Sequence, residues 1–388
     1  MRSGITNTME VVADVRIAMI GHKRFGSREG GVEVVVTELA RRMVKLGHEV
    51  ICYDRSGTDV MTGEAVSVSE RVIEGVRVVP VRTIDKKGLA ALSSSYFATL
   101  SAIKDRPDVI HYHAEGPCVP LALASRAGIR TAATIHGLDW QRAKWGRLAS
   151  TYIKMGEKVA ASKADSLIVL SSSAKEYFRT AYGRDATLVY NGVDVHEPLA
   201  AMEINKRWGL VKGSYFLYLG RLVPEKRADL LIDAFEQLET DKRLVIAGGG
   251  SDTNEFEVLL KARAASDPRI LFTGFVTGSL LAELYSNAYA YVLPSDVEGM
   301  PLSLLEAMSY GACSVTSDIP ECSDVLGSSG VTFTRNAVGD LARVLDSLLD
   351  DPVETARLGE AAREHVGLAY NWDAVVEQTL ALYKGEVR

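Results

Sequence analysis

A chain of 388 residues has room for two or three domains with sizeable cores. Hydrophobic residues make up 47% and charged residues 24%, an ordinary globular composition. No apolar run reaches the roughly 18 residues that a membrane-spanning helix requires. The net charge of −6 is unevenly shared: residues 1–195 carry 27 Lys and Arg against 21 Asp and Glu, the remainder 17 against 29. A basic N-terminal half suits an anionic acceptor or a membrane surface, and is equally compatible with drift in surface composition. Residues 1–14 lack the apolar core of a signal peptide and read as a flexible leader. Cys52, Cys118, Cys313 and Cys322 are scattered and read as buried thiols of a reducing cytoplasm.

In chain order, Val15-Arg-Ile-Ala-Met-Ile20 reads as a strand, Gly30-Gly31 as a loop, and Val32 to Leu46 as a helix closed by Gly47. Strands are expected at Glu49–Tyr53, Val76–Pro80, Val109–Tyr112, Thr131–Ile135 and Ser166–Leu170, with helical stretches between most of them. That alternation implies a largely parallel sheet covered on both faces. Tyr190-Asn-Gly-Val-Asp194 reads as a linker. A second βα series then runs through Tyr215–Leu219, Leu244–Ala247, Ile270–Phe272, Tyr289–Leu293 and Ser314–Thr316. The expectation is an α/β protein of two doubly wound domains, residues 15–195 and 196–368. A final helix within 369–388 follows Tyr370-Asn-Trp372. A site in the cleft between such domains is the default.

Several stretches carry chemistry. Glu298-Gly-Met-Pro-Leu-Ser-Leu-Leu-Glu306 follows the apolar run Ala290-Tyr-Val-Leu-Pro294. It places one carboxylate before a helix N-terminus and the other within the helix, at the carboxyl end of a strand where ligands of open α/β sheets bind. Free N–H groups and the dipole favour an anion there, and the two acids suit hydroxyl groups on either side. Gly220-Arg221-Leu-Val-Pro224-Glu-Lys226 follows another strand; Pro224 reads as a first helical residue, with Arg221 and Lys226 placed to neutralise a diphosphate. Ala247-Gly-Gly-Gly-Ser251 and Gly30-Gly31 can approach phosphates, but neither has the G-x-G-x-x-G spacing of a dinucleotide site.

Thr134-Ile-His136-Gly137 ends a strand, so His136 points into the presumed cleft. His111-Tyr-His113-Ala-Glu115 ends another; the two histidines share a face, yet no third metal ligand is evident. Asp139 to Lys163 holds six Lys and Arg against two acids, with Trp140, Trp145 and Tyr152 among them. That segment fits either a bilayer surface or a solvated helix face.

In this order the motifs resemble those of glycosyltransferase family 4, the retaining nucleotide-sugar glycosyltransferases with two facing Rossmann-like domains called the GT-B fold. The likeness runs from Val15 onward and rests on Gly30-Gly31, His136-Gly137, Asn191-Gly-Val-Asp194, Gly220-Arg221 with Lys226, and Glu298 to Glu306. The first half is most similar to bacterial polysaccharide enzymes that transfer rhamnose, glucose or N-acetylglucosamine. The resemblance implies that Arg221 and Lys226 hold the diphosphate, Glu306 the ribose, and Glu298 the donor sugar, near the amides of Gly299, Met300 and Leu302. Gly31 would lie near the phosphates, Gly274 to Val276 near the base, and His136 would reach the sugar from the first domain. Four residues would then be catalytic: His136, Arg221, Lys226 and Glu298. The acceptor or membrane side would include His113, Glu115, Arg142, Lys144 and Trp145. Proline at 301, where many relatives carry glycine, removes one N–H from the donor-sugar contacts.

The expected activity is retaining transfer of a hexose from a nucleotide-diphosphate sugar to a saccharide or lipid-linked acceptor, in cell-surface polysaccharide assembly. The enzyme would be cytoplasmic, peripheral at the inner membrane face, and without a nucleic-acid partner. No D-x-D motif is present, so no metal or other cofactor is expected. A nucleotide-sugar epimerase of the same architecture and a non-catalytic nucleotide-sugar-binding protein are the alternatives. The first would act without an acceptor, the second without turnover.

Overall fold

The computed structural model describes residues 15–57, 69–84, 89–141, 146–250 and 255–386. The first half runs β1 (Arg16–Ile20), α1 (Gly31–Lys45), β2 (Glu49–Arg55), β3 (Arg71–Ile73), β4 (Val76–Val81), α2 (Leu89–Asp105) and β5 (Val109–His113). It continues through α3 (Leu121–Arg126), β6 (Arg130–Ile135), α4 (Arg147–Lys163), β7 (Ser166–Val169), α5 (Ser172–Tyr182) and β8 (Thr187–Leu188). These strands form one sheet in the order β3-β4-β2-β1-β5-β6-β7-β8, parallel except where β3 pairs with β4.

The second half runs α6 (Glu203–Trp208), β9 (Tyr215–Leu219), α7 (Ala228–Phe235), β10 (Arg243–Ala247), α8 (Glu255–Arg263), β11 (Ile270–Gly274) and α9 (Gly278–Asn287). Then come β12 (Ala290–Leu293), α10 (Leu302–Ser309), β13 (Cys313–Ser317), α11 (Pro320–Leu326), β14 (Val331–Phe333), α12 (Val338–Asp350), α13 (Pro352–Ala369) and α14 (Trp372–Lys384). Its all-parallel sheet has the order β11-β10-β9-β12-β13-β14. Two parallel α/β units are thus present, as the alternation of apolar runs implied.

Side-chain alternation along the strands builds a core on each face of each sheet. In β1, Ile17 and Met19 enter one cluster, and Ala18 and Ile20 the other. In β9, Tyr215 and Leu217 face one way, Phe216 and Tyr218 the other. α14 belongs to the first sheet's core: Trp372, Val375, Val376 and Leu380 pack with Ile17, Val50 and Val109. Each such aliphatic side chain contributes roughly 1.5–3 kcal/mol of burial, enough in sum to hold the tail of the chain across both halves. The linker is tied down as well. Val193 N donates to the Tyr370 carbonyl at 2.7 Å, and Arg42 grips both oxygens of Asp194 at 2.7 and 2.8 Å.

Three strands were missed in the sequence. β3 and β4 form a hairpin across Glu74 and Gly75, both at positive φ, which is the turn that matches strand twist. β8 has two residues and β14 three, too short for periodicity to register.

Candidate active site

In the second half the charged groups gather at the carboxyl ends of β9 and β12. Leu222 N donates to the Gly249 carbonyl at 2.9 Å and Tyr218 Oη to the Arg221 carbonyl at 3.1 Å, which fixes the backbone around Arg221. Arg221 is half-buried and forms no ion pair with a carboxylate among the described residues. Pro224 does not open α7 as expected. It begins a separate 3-10 turn, Pro224–Lys226, and the left-handed Arg227 (φ 51°) follows before the helix starts at Ala228. The break turns Lys226 across to β12, where its Nζ lies 2.5 Å from Glu298 Oε1. That carboxylate is only 7% exposed, so the ion pair is largely shielded from water.

Pro301 caps α10 without a side-chain hydrogen bond, and the N–H groups of Leu304 and Leu305 turn back to its carbonyl. Leu302 and Ser303 have no acceptor within the helix, which leaves a positive helix end beside Glu298. One turn further, Glu306 accepts from Tyr285 Oη at 3.0 Å and pairs with Arg28 of the first half. Burial, then the nearby Glu306, holds the Tyr285 hydroxyl well above its ordinary range, so it stays a donor.

From the first half come the β1–α1 loop and the end of β6. α1 starts at Gly31, and a side chain there would meet Leu302 Cδ1 at 3.6 Å. The ends of α1 and α10 therefore face each other. His136 follows β6, and Gly299 lies so close that a Cβ on it would sit 1.6 Å from the His136 carbonyl oxygen. Only glycine allows the Glu298 loop to approach the His136 loop in this way. The structure thus brings His136 against Gly299, Lys226 against Glu298, and Gly31 against Leu302.

Other expected site residues fall differently. The Met300 side chain is buried, with Sδ 3.0 Å from Asn191 N, so it braces the linker, while the contact expected with the donor sugar is that of its backbone amide. Gly274 ends β11 and Val276 follows it, and no hydrogen bond or ion pair joins them to Arg221 or Glu306 among the described residues. His113 and Glu115 were expected on an acceptor or membrane side; both are fully buried. Glu115 instead accepts from Asp139 N at 3.0 Å and anchors the Asp139–Gln141 turn from beneath. Burial, reinforced by Asp139 and Glu157, holds its carboxyl well above the usual carboxylate range. His111 bonds Tyr383 Oη at 2.6 Å and Thr134 Oγ1 at 2.7 Å, so the two histidines are not arranged about a shared ion. Arg142, Lys144 and Trp145 lie outside the described residues.

A pocket of about 270 Å³ lies between the halves, lined by Gly137, Gln141, Ser173 and Tyr177 on one side and Glu298 and Glu321 on the other. Ser173 Oγ donates to Glu321 across it. A larger cavity of about 430 Å³, near Thr187 and Ala381, touches none of these groups and has no charged cluster, so the smaller one fits the chemistry better. Arg28, Ser173 and Glu321 were not recognised in the sequence. Arg28 could have been, as a cation two residues before Gly30-Gly31; nothing local marks the other two.

Comparison with known proteins agrees with this geometry. Residues 29–197 match the family model described as Glycosyltransferase Family 4, and residues 202–365 the one described as Glycosyl transferases group 1. The glycogen synthase of Mycobacterium tuberculosis H37Rv is 30% identical over 386 residues, covering 91% of each chain. Among solved structures, sucrose-phosphate synthase from Thermosynechococcus elongatus superposes with a TM-score of 0.79 at 21% identity, over 95% of this chain and 98% of that one. Anabaena Alr3699/HepE in complex with UDP-glucose gives 0.79 at 16% identity, over 96% and 100%. The fold, the matched families and the near full-length relative agree: this chain is a glycosyltransferase of the family 4 type, with the GT-B fold.

Proposed function

We propose that the chain transfers a hexose, with retention at the anomeric carbon, from a nucleotide-diphosphate sugar to a saccharide or lipid-linked saccharide in cell-surface polysaccharide assembly. The observation that carries this reading is the half-buried Arg221, without a carboxylate partner among the described residues, beside the Lys226–Glu298 pair and the open N-terminus of α10. Cleaving the sugar–phosphate bond leaves an oxocarbenium-like sugar and a nucleoside diphosphate anion. Arg221, Lys226 and the helix end supply positive charge to that leaving group in a partly desolvated cleft, where it acts most strongly. With that charge in place, a bound metal is not needed. Glu306 and Tyr285 suit ribose hydroxyls, and Glu298 with the Gly299 amide suits the sugar. The pocket beside Gly137 and Glu321 is where an acceptor hydroxyl would approach the same face of the sugar. The UDP-glucose of the Anabaena neighbour supports a nucleotide-sugar donor.

Membrane association at the cytoplasmic face is part of the proposal. The exposed face of α4 presents Arg147, Lys154, Lys158 and Lys163 with Leu148 and Met155, a pattern suited to anionic headgroups. No described helix is long and apolar enough to cross a bilayer.

The decisive experiment screens UDP-, GDP-, ADP- and dTDP-sugars for thermal stabilisation and slow hydrolysis without added metal. One donor that does both identifies the substrate. Stabilisation without any turnover, even with saccharide acceptors, would favour a binding protein. Conversion of the donor to another sugar nucleotide would favour an epimerase.

A further inference from the structure

His136, half-buried after β6, ends a line of three imidazoles. His113 is wholly buried, and its Nδ1 lies 3.0 Å from His136 Nε2. Behind it the tilted His111 ring lies with its centroid 4.0 Å away, held on both nitrogens by Tyr383 and Thr134. The backbone below is immobilised too: a Cβ on Gly21 would sit 2.2 Å from the His113 carbonyl oxygen. His113 Nε2 is buried and has no hydrogen-bond partner among the described residues.

A neutral imidazole carries one N–H, and one of the two facing nitrogens must donate. Were His136 to donate from Nε2, His113 would keep its own proton on Nε2, where nothing accepts it. When His113 donates from Nδ1, its Nε2 holds only a lone pair. A buried acceptor without a partner is tolerated better than an orphaned N–H. A cationic His113 is opposed first by burial, then by the neighbouring His111, His136 and His22.

We infer that His113 is a positioning residue that fixes His136 as the Nδ1–H tautomer, so that His136 serves as a hydrogen-bond donor and not as a base. Its Nε2 lone pair is occupied by His113, and its Nδ1 has none to offer an acceptor hydroxyl. His136 therefore does not remove the acceptor's proton; it donates to an oxygen of the bound sugar. This consequence for turnover rests on the glycosyl-transfer reading, whereas the tautomer itself does not.

The test uses the full chain labelled with 15N-histidine. Two-bond proton–nitrogen correlation at neutral pH reads the tautomer of each ring, and the His136 signals are those lost in His136→Gln. A protonated Nδ1 on His136 is expected; a protonated Nε2 overturns the inference. Turnover adds a second reading. His113→Asn keeps an N–H donor facing His136 and should retain kcat within a few fold. His113→Asp offers an acceptor, pulls the proton to Nε2, and should lower kcat on the order of a hundredfold with KM little changed. Equal losses in the two variants would reduce His113 to a packing residue and overturn the proposal. If the unmodified chain cleaves no nucleotide sugar, the transfer reading fails, and the nuclear resonance result still decides the tautomer.

Discussion

The two walls of the cleft use opposite electrostatics. The wall from the second half is charged: Arg221, the Lys226–Glu298 pair, Glu306 and the end of α10 lie at the carboxyl ends of β9 and β12. The wall from the first half is close to neutral at the end of β6. His136 is backed by the buried His113 and His111, and burial pushes His111 down to about 3, so it is uncharged at any physiological pH. Glu115, beneath the adjoining turn, has its carboxyl held well above the usual carboxylate range by burial. An anionic leaving group needs fixed positive charge, which the second half provides. A sugar acquiring positive character is better served by neutral dipoles held rigidly, because a nearby cation would repel it. Domain pairing lets one cleft hold both environments, with the Arg28–Glu306 ion pair joining the walls.

Removing the charge from the second wall should have the largest effect. Arg221→Ala is expected to lower kcat/KM by about 10²–10³, roughly 3–4 kcal/mol of transition-state stabilisation, with Arg221→Lys recovering part of it. Steady-state kinetics with the identified donor checks this, and near-normal transfer would sink the diphosphate assignment.

The neutral wall predicts a pH effect of intermediate size. The Glu115 carboxyl binds its proton more tightly in the folded chain than in the unfolded one. Its contribution to stability is therefore complete below the unfolded value, about pH 4.3. It is lost as pH rises toward the folded value, by up to about 1.4 kcal/mol per pH unit. Glu115→Gln keeps a neutral group there and should abolish that slope. Denaturant unfolding of both proteins across a pH series measures it, and an unchanged slope would mean that Glu115 is ionised in the fold.

The contact between the walls predicts the smallest change. Arg28, with a side chain 45% exposed, pairs with Glu306, so the pair is worth no more than about 1 kcal/mol. If it competes with the ribose for Glu306, Arg28→Ala should tighten donor binding by up to about fivefold. Calorimetric titration decides; weaker binding would instead make Arg28 a contact of the diphosphate.

Much of this was legible before any coordinates. The repeated βα pattern identified two parallel sheets because strands buried on both faces read as short apolar runs. Tyr215–Leu219 was delimited to the residue. Arg221, Lys226, Glu298 and Glu306 stood out because charged groups and glycines at strand ends have little structural reason to be there. The missed strands are short, and the misplaced helix start at Pro224 reflects a local signal that was valid for a 3-10 turn. The burial of His113 and Glu115, expected on the acceptor or membrane side, was not legible because polarity alone does not reveal burial; only the packing of α2, α4 and α14 around β5 covers them.

By itself, then, the sequence determined the order of elements, the faces they bury and the presence of a cationic, glycine-rich strand-end site, since these follow from local periodicity and composition. Tertiary structure alone decided the pairings of Arg28 with Glu306, Ser173 with Glu321, and His113 with His136, and the approach of Gly299 to His136. Those partners lie from 23 to 278 residues apart along the chain. No local propensity links them; they meet because two sheets bury their faces independently and α14 and the linker hold the halves in register.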